Sequence, residues 1–256
     1  GGEANSRTAC IGCLAGHSCD GTSIVVVCEA GHYSGPESAR CEPCGSNEKY
    51  SVGKAEACKV CPTGSFTSGG TLVTRTECKL CPKGAACGSS STLTRCSPGT
   101  FAPSGSSKCV DCGVDNKYAD SGANICTTCQ IGSYTSGGSA DGKTRTDCMT
   151  CPAGWFCKDG ASDKKECTAG KYSVSGQYEC SACGYDNQYA SGIGLGSCSV
   201  CPKGRRTTGG TPTTREGCAL CPAGFKCDGN SISNVCPAGT FAKAGSSTCS
   251  LCGNDK

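Results

Sequence analysis

The sequence contains few of the large apolar side chains from which a globular core is built. Its 256 residues include one Trp, one Met and five Phe, and aromatic residues make up 5% of the chain. Leu, Ile, Val and Phe together number 29, well below their share in an ordinary packed domain. A chain of this length normally buries most of its apolar surface in one core. The material for such a core is missing here.

Signatures of catalysis and of metal or cofactor binding are missing as well. The two histidines, His17 and His32, occupy repeated positions that other residues fill elsewhere in the chain, which argues against a general base. The sequence has no nucleophile elbow, phosphate loop, zinc-protease motif or calcium loop. We therefore expect no catalytic residue, no metal and no cofactor, and we do not expect an enzyme.

Strong charge and long apolar runs are also absent. The formal net charge is +3, and Lys and Arg are scattered among Asp and Glu, so no basic stripe for nucleic acid is present. No apolar run reaches the length of a membrane span, so we expect no direct membrane insertion. The sequence has no N-x-S/T sequon, and a glycoprotein is expected only through O-glycans on its many Ser and Thr residues.

Cysteine, in contrast, is abundant. Thirty cysteines in 256 residues indicate a disulfide scaffold, which replaces the missing core by restricting the unfolded chain. Disulfides persist outside the cytosol, so the density predicts an extracellular or cell-surface protein. The chain begins with Gly1 rather than Met, and we expect a secretion signal to lie outside it.

The cysteines recur with a fixed spacing. From Cys10 the gaps are 3, 6, 9, 13, 3, 14, 3 and 17, and nearly the same series starts again at Cys78, Cys148 and Cys218. This predicts the tail of a preceding repeat at 1–9, Cys-rich repeats at 10–77, 78–147 and 148–217, and a partial repeat at 218–256. Each repeat in such an array contacts only its neighbours. Because the first and last segments are parts of repeats, we expect the chain to be a window on a longer array.

Other residues repeat in phase with the cysteines. An Arg stands three residues before each opening cysteine, and the string CGVDNKYA at Cys112 returns as CGYDNQYA at Cys183 and CGSNEKYS at Cys44. Helical periodicity is absent, and Gly, Ser, Thr and Asn, which favour turns, dominate between cysteines. The predicted fold class is small disulfide-rich repeats, forming an elongated rod of short irregular β-hairpins with little helix.

A Gly recurs at the third position after a cysteine in every repeat, and an aromatic residue often stands two residues later. Gly permits positive φ or a close backbone approach, so we expect a tight turn at each such Gly. We expect the rings to cover the adjacent disulfides as miniature cores. The rings in question are Tyr33, Phe66, Phe101, Tyr134, Phe156, Tyr172 and Phe241, with Tyr50, Tyr118 and Tyr189 in the other half of each repeat.

This punctuation resembles a known family. The segments CPAGWFC at Cys151, CTAGKYSVSGQYECSAC at Cys167 and CSPGTFAPSGSSKCVDC at Cys96 are similar to GCC2/GCC3, or ephrin-receptor-like, cysteine-rich modules, relatives of the TNF-receptor cysteine-rich domain. The resemblance covers nearly the whole chain and implies an extracellular, non-catalytic role, as in receptor ectodomains and in protist or algal surface and mastigoneme-type proteins. Arg205 and Arg206 depart from its pattern, which puts the packing of that hairpin in question.

The resemblance to TNF-receptor modules implies a disulfide pairing. The implied pairs are Cys61–Cys78, Cys81–Cys96, Cys87–Cys109, Cys112–Cys126, Cys129–Cys148, Cys151–Cys167, Cys157–Cys180 and Cys183–Cys198. Spacing alone does not fix connectivity, so a sequential alternative, Cys81–Cys87 with Cys96–Cys109, stays open. Cys10 and Cys252 are expected to have no partner in either scheme. A zinc ribbon at Cys109, Cys112, Cys126 and Cys129 is disfavoured because all four belong to the periodic series.

Function is expected in the positions that vary between repeats. Ile24, Val25, Val26 and Val27 stand where other repeats carry mostly polar residues, and Trp155 with Phe156 replaces smaller residues. An apolar run without a core to enter is either hairpin packing or a contact surface. We hypothesise a structural subunit of an extracellular filament or coat, with other copies of itself or other surface proteins as partners. The alternative is a ligand-binding receptor ectodomain of TNF-receptor-like type.

Overall fold

The computed structural model describes residues 12–253 and consists of strands, turns and bends. Its 28 short strands form 14 two-stranded antiparallel hairpins, and no helix occurs in these residues. A helix able to cross a membrane is accordingly not found between residues 12 and 253. Isolated two-stranded hairpins are barely stable in water, so other interactions have to hold them.

Each full repeat contains four hairpins in chain order. Repeat one has β1 (His17–Cys19), β2 (Val25–Val27), β3 (His32–Tyr33), β4 (Glu42–Pro43), β5 (Lys49–Tyr50), β6 (Lys59–Val60), β7 (Ser65–Ser68) and β8 (Glu77–Leu80). Repeat two has β9 (Ala85–Cys87), β10 (Leu93–Arg95), β11 (Thr100–Phe101), β12 (Val110–Asp111), β13 (Lys117–Tyr118), β14 (Thr127–Thr128), β15 (Ser133–Ser136) and β16 (Asp147–Thr150).

The same order continues in the rest of the chain. Repeat three has β17 (Trp155–Phe156), β18 (Lys165–Glu166), β19 (Lys171–Tyr172), β20 (Ser181–Ala182), β21 (Gln188–Tyr189), β22 (Ser199–Val200), β23 (Arg205–Thr208) and β24 (Gly217–Leu220). Repeat four has β25 (Phe225–Cys227), β26 (Ser233–Val235), β27 (Thr240–Phe241) and β28 (Ser250–Leu251). Consecutive strands pair in every hairpin.

One disulfide accompanies each hairpin, and the pairing is sequential. First hairpins hold Cys13–Cys19, Cys81–Cys87, Cys151–Cys157 and Cys221–Cys227. Second hairpins hold Cys28–Cys41, Cys96–Cys109, Cys167–Cys180 and Cys236–Cys249. Third hairpins hold Cys44–Cys58, Cys112–Cys126 and Cys183–Cys198. Fourth hairpins hold Cys61–Cys78, Cys129–Cys148 and Cys201–Cys218.

This pairing corrects the crossed bonds implied by the TNF-receptor resemblance. Cys81–Cys96, Cys87–Cys109, Cys151–Cys167 and Cys157–Cys180 are wrong, and the sequential alternative is observed. After Cys81 the chain makes a tight turn, in which the Ala85 N–H donates to the Pro82 carbonyl (3.3 Å). This turn brings the Cα atoms of Cys81 and Cys87 to 5.8 Å, within the ordinary range for a disulfide.

The buried interior is made of sulfur and small side chains. The fully buried side chains of largest volume are those of three threonines, Thr67, Thr135 and Thr207, and of half-cystines. The residue after each aromatic ring is also buried, as with Ser34, Ala102 and Ser173. The rings themselves are only partly buried, and Phe241 is 45% exposed. Large rings therefore do not make up the interior, and the covering of each disulfide by its adjacent ring stays a prediction.

The glycine after each C-x-x connects one hairpin to the next. The Gly84 N–H donates to the Ala102 carbonyl in the following hairpin (2.8 Å). Gly84 has a φ of 78°, and a Cβ placed there would lie 2.0 Å from the Gly122 carbonyl oxygen. Both the positive φ and the close approach predicted from the sequence are confirmed at this position.

The repeat boundaries drawn from the sequence fall inside strands. The boundaries before Cys78, Cys148 and Cys218 cut β8, β16 and β24, because each opening cysteine belongs to a fourth hairpin. The hairpin with Arg205 and Arg206 forms with the register of its counterparts, pairing Thr207 with Cys218 as β7 and β8 pair Thr67 with Cys78.

Spatially the chain divides into two compact units. Among the described residues, one contains 12–112 together with Ala119–Cys126, and the other contains Gly113–Tyr118 and 127–253. The first unit contains repeat one and the early hairpins of repeat two. The second contains the remaining hairpins, and each unit is built from the same small modules.

Candidate functional site

The apolar run predicted as an interface lies on the surface. Ile24 is 62% exposed, and Val25, Val26 and Val27 are 59%, 54% and 42% exposed. Val25–Val27 form β2, which pairs only with β1, so that Val25 lies opposite Cys19 and Val27 opposite His17. These side chains are therefore not buried within their own hairpin. Contiguous exposed apolar residues of this kind are typical of contact surfaces.

The other predicted contact pair is partly engaged. Trp155 and Phe156 form β17 and are both half-buried. The ammonium nitrogen of Lys164 lies 5.3 Å from the centre of the Trp155 ring and 4.6 Å from that of Tyr134, within the range of a cation–π contact. Trp155 therefore has a partner within its own unit.

An open groove lies between the first and second hairpins of a repeat, and we call it the inter-hairpin groove. In repeat one it has a volume of about 370 Å³ and includes Val26, Val27, Glu29, His32 and Arg40. In repeat three a groove of about 310 Å³ is lined by Phe156, Glu166, Thr168, Lys171 and Glu179. The two grooves occupy equivalent positions in their repeats, so one backbone frame presents different side chains in each copy.

A hydrogen-bonded cluster that the sequence did not reveal ties each repeat to the next. Asp186, in the third hairpin of repeat three, accepts from Nε of Arg215 in the fourth hairpin (2.6 Å). Its other carboxylate oxygen accepts from the N–H and the hydroxyl of Ser231 in repeat four, both at 2.8 Å. We call this arrangement of three residues the clamp, and it gives a role to the Arg that precedes the opening cysteine of repeat four, Arg215.

A second clamp has the same geometry. Asp115 accepts from Nε of Arg145, and its other oxygen accepts from the N–H (3.0 Å) and hydroxyl (2.8 Å) of Ser162. Below it, the buried Thr135 hydroxyl donates to the Asp115 carbonyl. The signal in the sequence was the repeated Asp of CGVDNKYA and CGYDNQYA, but its partner Ser lies 47 residues away along the chain, beyond the reach of local pattern.

The clamps perturb the acidity of their carboxylates. Burial by itself raises the pKa of Asp115, but hydrogen bonds from Arg145 and Ser162 outweigh it and hold that pKa below its ordinary value. The pKa of Asp186 is lowered for the same reasons, with Ser231 and Arg215 opposing the effect of burial. Both carboxylates are therefore charged at neutral pH, and each neutralises a guanidinium that is 13% exposed.

The clamp between repeats one and two carries no carboxylate. Asn47 takes the place of the aspartate, and its carbonyl accepts from Nε of Arg75 (2.7 Å) while its amide donates to the Ser91 hydroxyl (3.0 Å). Arg75 also donates to Ser91 (2.9 Å). The geometry is preserved without an ion pair, since no carboxylate between residues 12 and 253 lies within salt-bridge distance of Arg75.

The cysteines considered for zinc are committed to other bonds. Cys109 pairs with Cys96, Cys112 with Cys126, and Cys129 with Cys148, so none is available as a thiolate ligand. Within residues 12–253, no group of three or more His, Cys, Asp or Glu side chains could hold a metal ion. Cys252 is free and exposed, and Cys10 lies outside the described residues.

Comparison with known proteins gives partial similarities. No family model matches the chain. The chain is 27% identical over 152 residues to the mouse protein named sushi, von Willebrand factor type A, EGF and pentraxin domain-containing protein 1, a match that covers 57% of this chain and 4% of that protein. The rat protein of the same name gives the same identity and coverage. The chain thus spans a small fraction of the length of these relatives.

A second kind of relative is similar over a shorter stretch. The human protein named protein disulfide isomerase CRELD2 is 27% identical over 124 residues, which is 44% of this chain and 34% of that protein. Together with the 14 disulfide-closed hairpins, these similarities define a cysteine-rich, disulfide-stapled repeat chain. It is weakly similar to proteins whose names include EGF and sushi domains.

Proposed function

We propose that this chain is a structural part of an extracellular filament or cell-surface coat, built from GCC2/GCC3-like repeats and without catalytic activity. Two features support it. Disulfides at this density are stable in oxidising compartments outside the cytosol. Repeats of nearly fixed spacing present the same backbone surface at regular positions, which suits contacts that propagate between copies.

The exposed strand β2 is the observation that carries this proposal. Three consecutive valines with 42% to 59% of their surface exposed leave apolar area in contact with water. Association would bury this area, and each Å² buried would stabilise the complex by roughly 25 cal/mol. At the equivalent positions repeat two has Leu93, Thr94 and Arg95, and repeat three has Lys165 and Glu166. The apolar surface is therefore specific to repeat one rather than required by the hairpin.

Sedimentation velocity over a range of concentrations tests the proposal. The variant Val25→Thr/Val26→Thr/Val27→Thr keeps β-branched side chains, so the hairpin is retained, while the surface becomes polar. We expect the natural chain to associate as its concentration rises and the variant to associate less. Val60→Thr/Val200→Thr, which alters two isolated valines that are 63% and 60% exposed, serves as the control and is expected to behave like the natural chain.

A monomer at all concentrations would contradict the proposal and favour the ligand-binding receptor ectodomain. That alternative has lost part of its basis, because the crossed pairing implied by TNF-receptor modules is not the pairing in the structure. A natural chain and a triple variant that associate equally would show that β2 is not the contact.

The name of the human relative suggests a disulfide isomerase, and the cysteine geometry does not favour that activity. A C-x-x-C redox site requires its two cysteines to pair with each other. In the motifs from Cys41 to Cys221 the two cysteines pair outward, as Cys109 does with Cys96 and Cys112 does with Cys126, and in the last motif Cys249 pairs with Cys236 while Cys252 is free. We therefore propose that these motifs join consecutive hairpins and carry no thiol chemistry.

A further inference from the structure

The inter-hairpin groove of repeat three and the corresponding surface of repeat two, which we call the groove of repeat two, carry charges of opposite sign at equivalent positions. The residue that ends the first hairpin is Arg95 in repeat two and Glu166 in repeat three. Both side chains extend over the equivalent glycine of the third hairpin: a Cβ on Gly122 would meet the Arg95 guanidinium, and one on Gly194 would meet the Glu166 carboxyl group. The two side chains thus point in the same direction with opposite charge.

The second hairpin repeats this reversal. The residue before its closing cysteine is Lys108 in repeat two and Glu179 in repeat three, and both are exposed. A third charge lies on the cross-strand pair of the same hairpin, where Asp111 lies opposite Thr100 in repeat two and Lys171 lies opposite Ala182 in repeat three. Residues directly opposite each other share one face of a hairpin, so Asp111 and Lys171 lie on the same face of their hairpins, on opposite strands.

These six charges have no opposite charge within 4 Å among residues 12–253, whereas nearby charges do. In repeat one, Arg40, the counterpart of Lys108 and Glu179, is paired with Glu42 at 2.5 Å. Lys165, beside Glu166, is paired with Asp163 at 3.7 Å. The groove of repeat two therefore presents two free positive charges and one free negative charge, and the groove of repeat three presents the reverse.

We infer that the groove of repeat two in one molecule docks against the groove of repeat three in a second copy of this chain. Each groove supplies the counter-charges that the other lacks, at two equivalent positions and on one shared face of the second hairpin. The inference rests on the proposed self-association and names the surfaces that carry it. Charge complementarity of this kind sets which surfaces meet and in which register, and like charges brought together are strongly unfavourable.

The series at the first of these positions supports a second copy as the partner. From repeat one to repeat four it runs Val27, Arg95, Glu166 and Val235, that is, apolar, basic, acidic, apolar. Reversing the order exchanges the two charges and leaves the valines in place. Read in reverse order, the series is therefore complementary to itself, as symmetric contacts between identical chains require.

Charge reversal tests the inference by sedimentation velocity at low salt, where screening is weak. The variant Arg95→Glu/Lys108→Glu makes both grooves acidic, and Glu166→Lys/Glu179→Lys makes both basic. We expect each variant alone to self-associate about tenfold more weakly than the natural chain, or worse, because like charges now face each other. An equimolar mixture of the two variants is expected to associate again, which also shows that both are folded.

Lys59→Glu/Lys203→Glu is the matched control. It changes the net charge by as much as Arg95→Glu/Lys108→Glu does, on exposed residues outside the grooves, and it is expected to associate like the natural chain. If the β2 variant weakens association but charge reversal leaves it unchanged, this inference is overturned and the proposed function stands. Failure of the mixture to associate would overturn it as well, and a natural chain that stays monomeric would overturn both.

Discussion

Single residues determine how closely successive hairpins approach. The C-x-x-G glycine donates its N–H to the next hairpin and leaves no room for a Cβ, as at Gly84. The buried hydroxyls act in the same way, since Ser34 donates to the His17 carbonyl (2.8 Å) and Ser173 to the Trp155 carbonyl (2.7 Å). Because the interior has so few large side chains, these small contacts supply much of the specific packing.

Replacing Gly84 with Ala should destabilise the protein for two separable reasons. A non-glycine residue at positive φ costs on the order of 1–3 kcal/mol, and the Cβ would also overlap the Gly122 carbonyl oxygen. Gly224 occupies the same position in repeat four with a φ of 83°, and a Cβ there meets nothing within 4 Å. Gly224→Ala therefore isolates the conformational cost. We expect a larger drop in the denaturant midpoint for Gly84→Ala, and equal drops would refute the steric argument.

The clamps predict an acid-sensitive component of stability. Because the pKa values of Asp115 and Asp186 are lower in the folded chain, their contribution is fully present above the unfolded pKa, about 3.9. It is lost as the pH falls through the folded pKa. With solvent screening taken into account, each clamp is expected to contribute about 1 kcal/mol.

Asp115→Asn/Asp186→Asn reproduces the Asn47 arrangement and should lose part of this acid dependence while remaining folded. The measurement is the free energy of unfolding between about pH 5 and pH 2, the window in which such carboxylates titrate. Asp228→Asn is the control, since Asp228 is exposed and lies outside the clamps. An unchanged pH profile in the double variant would show that the clamps do not stabilise the fold.

At the scale of the hairpin, sequential pairing makes each disulfide close its own loop. None of these loops overlaps another, because each bond lies between cysteines that are consecutive among the paired ones. Contributions from independent loops add, and each depends on its own length. The hairpin is therefore the unit of stabilisation as well as the unit of structure.

A non-reducing tryptic digest should reveal this connectivity. Cleavage after Lys79, Lys83 and Arg95 separates Cys81, in residues 80–83, from Cys87, in residues 84–95. We expect mass spectrometry to find these two segments linked, because Cys81 and Cys87 are bonded. Linkage of residues 80–83 to residues 96–108 would instead support the crossed pairing.

Loop length should set the cost of losing a disulfide. Cys129–Cys148 spans 19 residues and Cys151–Cys157 spans six, so the chain-entropy estimate is about 3 and about 2 kcal/mol respectively. Replacing both cysteines of a pair with Ala, one pair at a time, should destabilise the chain more for the longer loop. The free energy of unfolding in denaturant checks this order, and the reverse order would contradict the entropic account.

For the whole molecule, the sequence predicted the class of fold and missed the longer-range contacts. Cysteine spacing and the glycines predicted hairpins closed by disulfides, because both act within a few residues. The clamps were missed since Asp186 and Ser231 lie 45 residues apart. The crossed pairing was wrong because it came from a resemblance rather than from the turn at Pro82–Ala85. The exposure of Ile24–Val27 agrees with the contact surface that the apolar run predicted. The cation–π contact of Lys164 with Trp155 was not predicted from the sequence.

Reduction should unfold the chain as a whole. With sulfur and small residues as the interior, removal of 14 disulfides takes away most of the constraint on the unfolded chain. We expect thermal unfolding in excess dithiothreitol to lose its cooperative transition, as followed by circular dichroism. A cooperative transition near the oxidised midpoint would show that packing alone holds the hairpins.

The fourth hairpin of repeat two shows where the scaffold accepts additional chain. It holds two more residues than its counterparts, because the sequence separation of its paired cysteines is 19 rather than 17. Thr135 nevertheless pairs with Cys148 as Thr67 pairs with Cys78. The extra length lies in the exposed turn at Ala140 and Asp141, beyond the paired strands. A foreign peptide grafted between Ala140 and Asp141 would therefore be displayed on a turn anchored by a disulfide and by Arg145, which makes this turn a site for epitopes or affinity tags.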